Sequence, residues 1–255
     1  MERPRGVLLD LDGTLYEDDR PIAGAAEAVE RLRQAEIAVA FCTNTTRMPR
    51  RALGQRLAAL GIRAAPADIV TAPAAAAAWL EAQGMRRVAL YVANATGEEF
   101  AAFTVDDSAP EAVVVGDLAG AWTFDRLNRA FRQVLAGARL VALQRNRYWK
   151  TADGLSLDAG PFVAALEYAT GTTATVVGKP SAAFFALAVA TLDVPREQVV
   201  VVGDDATTDV RGAQAAGLRA VLVRTGKYRP QDEHAAPDAE AVIDSIADLP
   251  ALILG

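Results

Sequence analysis

Two aspartates stand two residues apart in Asp10-Leu11-Asp12-Gly13-Thr14, directly after the apolar run Val7-Leu8-Leu9. Alternate residues at a strand end lean to one side, so the spacing predicts both carboxylates at the mouth of a buried strand. Gly13 lets the chain turn, and Thr14 adds a hydroxyl and a backbone N–H. One carboxylate of such a pair can attack an electrophile while the other moves a proton. An acidic turn between a strand and a helix is the alternative, since Asp-Gly is ordinary turn chemistry.

Three further segments bear on that choice. Thr43 and Asn44, followed by Thr45 and Thr46, stand after the apolar run Ile37 to Cys42. Their side chains and backbone N–H groups can hold phosphate oxygens, and Thr45 and Thr46 read equally well as helix caps. Lys179 ends an apolar run and precedes Pro180-Ser181, a helix opening. It supplies a fixed positive charge for a carboxylate and a phosphoryl group, the alternative being a solvated surface lysine. Last comes Gly203-Asp204-Asp205-Ala206-Thr207-Thr208-Asp209, after four consecutive valines. Its three aspartates repel one another and are tolerable near Asp10 and Asp12 only around a shared divalent cation. All-oxygen ligation suits Mg²⁺. Asp209 alone can equally complement a helix dipole.

These residues need a scaffold, and the hydrophobic pattern supplies one. Apolar runs at 7–9, 37–42, 174–177, 199–202 and 220–223 alternate with helical patterns at 25–34, 50–60, 182–192 and 208–216. Continuous Val/Ile/Leu strands imply a parallel sheet covered on both faces. The fold class is therefore α/β, with a Rossmann-like parallel sheet core, helices on both faces and an inserted α/β cap domain. Residues 1–73 and 174–255 make the core. Residues 74–173 make the insertion, with strands at 88–92, 112–115 and 140–143, helices at 125–135 and 162–169, and an alanine-rich helical run at 74–78. Every residue suited to catalysis falls outside it.

Composition narrows the function. A chain of 255 residues with 52% hydrophobic content can fill two cores, and a net charge of -6 disfavours a nucleic-acid-binding surface. No apolar run approaches the length that spans a bilayer, and the opening residues lead straight into a strand, so a cytoplasmic protein without membrane contact is expected. The single cysteine, Cys42, sits in an apolar run and reads as a small buried hydrophobe. The single histidine, His234, lies in a polar loop and reads as a surface residue.

Asp10/Asp12, Thr43/Asn44, Lys179 and Asp204/Asp209 occur in the order and spacing of the four motifs of the haloacid dehalogenase superfamily, which the chain resembles over nearly its full length. The insertion is similar to the C2-type cap of that superfamily. The segments Gly160-Pro161-Phe162-Val163-Ala164-Ala165-Leu166-Glu167 and Thr225-Gly226-Lys227-Tyr228 resemble the branch of the phospholysine phosphohistidine inorganic pyrophosphate phosphatases. The resemblance implies that Asp10 is a nucleophile forming an aspartyl-phosphate and Asp12 a general acid/base. It implies Mg²⁺ held by the Asp10 side chain, the Asp12 carbonyl oxygen and Asp204, with Asp205 and Asp209 orienting the metal or its waters. Thr43, Asn44 and Lys179 would clamp phosphoryl oxygens. Dehalogenases of the superfamily lack the second aspartate, so Asp12 favours phosphoryl transfer.

The expected function is a Mg²⁺-dependent phosphatase acting on a small phosphorylated compound, whether phosphoester, phosphoramide or pyrophosphate. A phosphomutase and a non-catalytic binding protein on the same fold are the alternatives. Substrate choice is expected of the cap, where Arg145, Tyr148 and Lys150 in Arg145-Asn146-Arg147-Tyr148-Trp149-Lys150 suit an anionic or planar leaving group. A hairpin with solvated charges is the other reading of that segment. The resemblance is compatible with a homodimer through the cap, which no stripe or heptad in the sequence establishes.

Overall fold

Strands whose side chains are apolar without alternation have no wet face, and Gly6–Asp10 and Val199–Gly203 are buried from end to end. Fully burying each such Val or Leu contributes roughly 1.5–3 kcal/mol. The computed structural model describes residues 1–151 and 154–255, without the side chains of Ala119, Trp149, Lys150 and Thr151. It divides into two compact units: Met1–Thr43, Arg50–Val70 and Lys179–Gly255 form the first, and Asn44–Pro49 with Thr71–Gly178 the second.

The first unit carries a six-stranded sheet in the order Ala241–Ile243, Arg219–Val223, Val199–Gly203, Gly6–Asp10, Ala38–Thr43, Ile69–Thr71. Gly6–Asp10 runs parallel to both neighbours, with Leu9 opposite Val202 on one side and Asp10 opposite Cys42 on the other. The chain thus leaves its first strand for one flank and later returns to the opposite flank. That reversal opens a crevice at the carboxyl ends of the strands, where α/β sheets bind ligands. Among the helices, Ala25–Gln34 buries Ala25, Ala28, Val29 and Leu32, spaced three and four apart, and places Glu27 in its first turn and Arg31 and Arg33 in its last, as its dipole favours.

The second unit has its own five-stranded sheet, in the order Thr175–Val176, Arg139–Ala142, Ala112–Val115, Arg87–Tyr91, Thr104–Val105, with every pairing parallel. Successive residues point to opposite faces. Ala89, Tyr91, Val113 and Val115 pack with Ala130 and Val134 of helix Phe124–Leu135 and with Val163 and Leu166 of helix Ala159–Thr170. Val88, Ala112, Val114 and Val141 pack with Ala72, Ala76 and Leu80 of helix Ala72–Ala82. Both units are α/β and Rossmann-like, and no helix among the described residues is long and apolar enough to cross a membrane.

Two elements differ from expectation. Thr175–Val176, expected beside the core strands, pairs in parallel with Arg139–Ala142 in the second sheet. So short a run fixes strand character but not which sheet accepts its hydrogen bonds. The helix expected over 208–216 starts earlier, as a π-helical stretch Ala206–Arg211 that continues into Gly212–Ala215. Asp205 causes this by capping the N–H groups of Thr207 and Thr208. Isolated π turns of this kind frequently occur at functional sites.

Candidate active site

Asp10 is the last residue of the central strand and is buried. Beyond it the chain makes a tight loop: Gly13 N–H donates to the Tyr16 carbonyl at 2.7 Å and Leu15 N–H to the Leu11 carbonyl at 2.9 Å. Gly13 has φ +85°, and a Cβ there would lie 2.2 Å from Asp204 Oδ2 and 2.9 Å from the Gly226 Cα. Only glycine satisfies both the turn and the approach. The opening loop is thereby pressed against Asp204, which follows Val199–Gly203, and against the loop that follows Arg219–Val223.

Lys179 joins this group from the start of the last core segment. Its Nζ lies 2.5 Å from Asp10 Oδ1 and 2.6 Å from Asp209 Oδ1, with the lysine side chain 3% exposed. A buried ammonium is tolerable only when paired. Burial alone would lower the Lys179 pKa, but Asp10 and Asp209 outweigh it and hold the amine protonated, well above its ordinary value. Asp209 Oδ2 also accepts from the Asp205 N–H at 3.1 Å.

Lys179 and the nearby Lys227, whose charge also acts on Asp10 and Asp204, do not balance the site. Carboxylate oxygens of Asp10, Asp204 and Asp209 lie within 4.8 Å of one another, and all three residues are buried. Burial first, then repulsion from Asp10 and Asp209, pushes the Asp204 carboxyl up to about 8, although it accepts the Lys227 N–H at 2.6 Å. Excess buried negative charge with hard oxygen donors fits a divalent cation such as Mg²⁺. Thr14, fully buried in the same loop, has a hydroxyl without a hydrogen-bond partner.

Asp12 takes a different position. It pairs with Tyr16 in an isolated bridge and its side chain reaches solvent. Surrounding protein atoms still displace enough water to push its carboxyl pKa upward, against the pull of Arg56, Lys227 and Lys179. That direction suits a group that must carry a proton near neutral pH. Tyr16 is 1% exposed, and the Arg56 guanidinium lies 4.4 Å from its ring centroid. Arg56 also donates to the Asp18 carbonyl and, at 3.1 Å, to Asp19.

The remaining expected residues divide. Thr43 ends the strand Ala38–Thr43 and is buried, on the strand next to that of Asp10. Asn44 follows it directly but belongs to the second unit. Thr46, read as a possible cap, instead accepts the Asp117 N–H at 3.2 Å, beside the Arg47–Asp117 ion pair at 2.5 Å. Asp205 spends one carboxylate oxygen capping the π-helical stretch. In the second unit Arg145 pairs with Glu167 at 2.7 Å, and Tyr148 stands exposed on the hairpin Tyr148–Thr151/Gly154–Leu157. The Lys150 side chain lies outside the described residues. Cys42 is buried, which pushes its thiol up to about 12, and His234 is exposed on the short helix Asp232–Ala235.

Lys227 and Tyr16 were missed by residue chemistry. The signal for Lys227 lay in the preceding Thr225-Gly226: the Thr225 hydroxyl donates to the Gly13 carbonyl at 2.5 Å and Gly226 N–H to Glu17 at 2.8 Å, docking this loop on the opening one. Tyr16 offered no signal beyond an aromatic in a polar turn.

Known proteins are similar to this chain in sequence and fold. A family model described as haloacid dehalogenase-like hydrolase matches residues 7–105, and a second, described as HAD-hydrolase-like, matches residues 176–249. Human phospholysine phosphohistidine inorganic pyrophosphate phosphatase is 41% identical over 98% of this chain and 94% of its own. A 4-nitrophenylphosphatase from Thermotoga maritima superposes with TM-score 0.91 and 27% identity, covering 98% of this chain and 97% of that one. Glycerol phosphate phosphatase from Mycobacterium tuberculosis, solved in complex with magnesium, superposes with TM-score 0.86 and 32% identity, covering 97% and 76%. With the motif carboxylates and lysine gathered at one sheet edge and such a relative matching nearly end to end, the chain belongs to the haloacid dehalogenase-like hydrolases and is a phosphatase.

Proposed function

We propose that this phosphatase is Mg²⁺-dependent and hydrolyses a small phosphorylated compound through an aspartyl-phosphate on Asp10. The observation that carries the reading is Lys179 Nζ held between Asp10 Oδ1 and Asp209 Oδ1, with Asp204 in the same buried cluster. With Oδ1 engaged by Lys179, Asp10 Oδ2 attacks phosphorus, and the bond from phosphorus to the leaving oxygen breaks as Asp12 gives that oxygen its proton. Asp12, now a carboxylate, takes a proton from water, whose oxygen attacks the acyl phosphate and releases inorganic phosphate and free Asp10. Lys179 and Thr43, with Asn44 beyond it, neutralise and orient the phosphoryl oxygens throughout. Asp10, Asp204 and the Asp12 carbonyl would hold Mg²⁺, with Asp209 and Asp205 supporting them, and the ion would supply further charge neutralisation on the phosphoryl group.

The second unit serves in this reading as a C2-type cap, with Arg145, Tyr148 and Lys150 as the residues that select the leaving group. A lone buried cysteine supports action in a reducing compartment such as the cytoplasm. The test is phosphate release from p-nitrophenyl phosphate with Mg²⁺ and with chelator, wild type beside Asp10→Asn. Release is expected only from wild type with Mg²⁺. Equal rates in both proteins would remove Asp10 as nucleophile, and isomerisation of sugar phosphates without net release would favour a mutase.

A further inference from the structure

The sheet of the second unit repeats, within its own body, the reversal that builds the catalytic crevice. Its chain begins with Arg87–Tyr91, adds Thr104–Val105 on one flank, then Ala112–Val115 on the other. The carboxyl ends of these three strands are therefore where a ligand crevice is expected. A cavity of about 180 Å³ lies there. Leu90, Tyr91 and Val92 come from the end of the first strand, Asp107 from just beyond the second and Leu118 from just beyond the third, so all three strand ends contribute to its lining.

Its polar wall is cationic. Arg126 and Arg129, three residues apart on helix Phe124–Leu135, share one face and line the cavity. Arg126 Nη1 donates to the Ala121 carbonyl at 2.7 Å, which steadies the guanidinium while using only one of its five N–H groups for that bond. Arg129 Nη1 meets Asp107 Oδ2 at 3.1 Å, with both side chains 57% exposed. An exposed pair of this kind is worth about 0–1 kcal/mol and yields readily to another anion. Two arginines against one aspartate leave a net positive charge.

The frame is preformed. Tyr91 stacks on Trp122 at 5.7 Å between ring centroids, and Trp122 on Phe162 at 4.6 Å. The Tyr91 hydroxyl donates to Gln133 Oε1 at 2.8 Å, and Gln133 Nε2 donates to the Asp107 carbonyl at 2.7 Å, tying the Asp107 loop to the strand end. We infer that this crevice binds a small carboxylate, its oxygens on Arg126 and Arg129 beside Tyr91 and Leu118. The volume falls below the ~300–1,000 Å³ of drug-sized pockets, so the ligand is of metabolite size.

Benzoate is the probe, with benzyl alcohol as its neutral counterpart, titrated into the full-length ¹⁵N-labelled chain and followed by amide shifts. Saturable shifts are expected at 90–94, 105–108, 116–118 and 126–129, with benzoate at least about tenfold tighter than benzyl alcohol. Arg126→Gln should weaken benzoate by about the same factor without lowering Tm, since this side chain is exposed on its helix. Leu118→Trp, which fills the cavity, should abolish the shifts while the fold persists. Equal affinity for the two probes, shifts centred instead on Asp10, Thr43 and Lys179, or no saturable shift with benzoate would each overturn the site. None of these outcomes depends on turnover, so the site stands or falls apart from the phosphatase mechanism.

Discussion

Lys179 is held by two carboxylates, 2.5 Å from Asp10 and 2.6 Å from Asp209, and removing it would leave three buried acids facing one another. Lys179→Ala should therefore lower turnover by about 10²–10³-fold, the usual cost of losing one preorganised stabiliser of transition-state charge. The same variant should lose thermal stability in chelator and regain part of it with Mg²⁺, because a cation relieves the repulsion that the ammonium formerly met. Turnover near wild type would contradict the role given to Lys179. At this scale the sequence was informative wherever a charged residue followed an apolar run, as Asp10, Lys179 and Asp204 do. It was silent where the backbone does the work: besides its charge, Lys227 gives Asp204 its amide N–H, and an amide carries no residue signature. It gave no sign of the cap that Asp205 places on the Thr207 and Thr208 N–H groups, since an aspartate beside a metal and one capping a helix have the same sequence appearance.

The element that brings the motifs together is the loop after the first strand, and Gly13 is its narrowest point. A Cβ on Gly13 would lie 2.2 Å from Asp204 Oδ2, whereas one on Gly84, also at positive φ, would meet nothing within 4 Å. Gly84→Ala should cost only the backbone term, about 1 kcal/mol, and leave turnover unchanged. Gly13→Ala should cost more than that and also displace Asp204, so turnover and Mg²⁺ affinity fall together. Comparing Tm and kcat of the two variants separates strain from close approach, and equal effects on both measurements would show that the contact with Asp204 is unimportant. Periodicity made the long elements legible: Ala25–Gln34 buries one stripe and Val199–Gly203 has no polar face. The short ones were not. Thr175–Val176 and the edge strands Ile69–Thr71 and Ala241–Ile243 span two or three residues, too few to define a period, and their sheet is chosen by hydrogen-bond partners distant in sequence.

Across the whole molecule, segments from both ends of the chain place acidic side chains at one sheet edge, and this makes stability depend on pH and metal together. Burial and neighbouring charge raise the Asp204 carboxyl from 3.8 to about 8 in the metal-free fold. Between these values the folded chain binds a proton that the unfolded chain has released, so metal-free stability falls as pH rises through the window, by up to about 1.4 kcal/mol per unit for one proton. The loss is complete once pH passes the folded value. A divalent cation binds the ionised carboxylate, so Mg²⁺ affinity should rise toward pH 8 and its binding should release a proton. Thermal melts between pH 6 and pH 8 should therefore show a declining Tm in chelator and a flatter profile with Mg²⁺. Asp204→Asn removes the titrating group and should flatten the chelator profile while abolishing most of the response to Mg²⁺. A wild-type Tm that climbs with pH in chelator would reverse the sign and place the dominant proton linkage elsewhere than this carboxylate cluster.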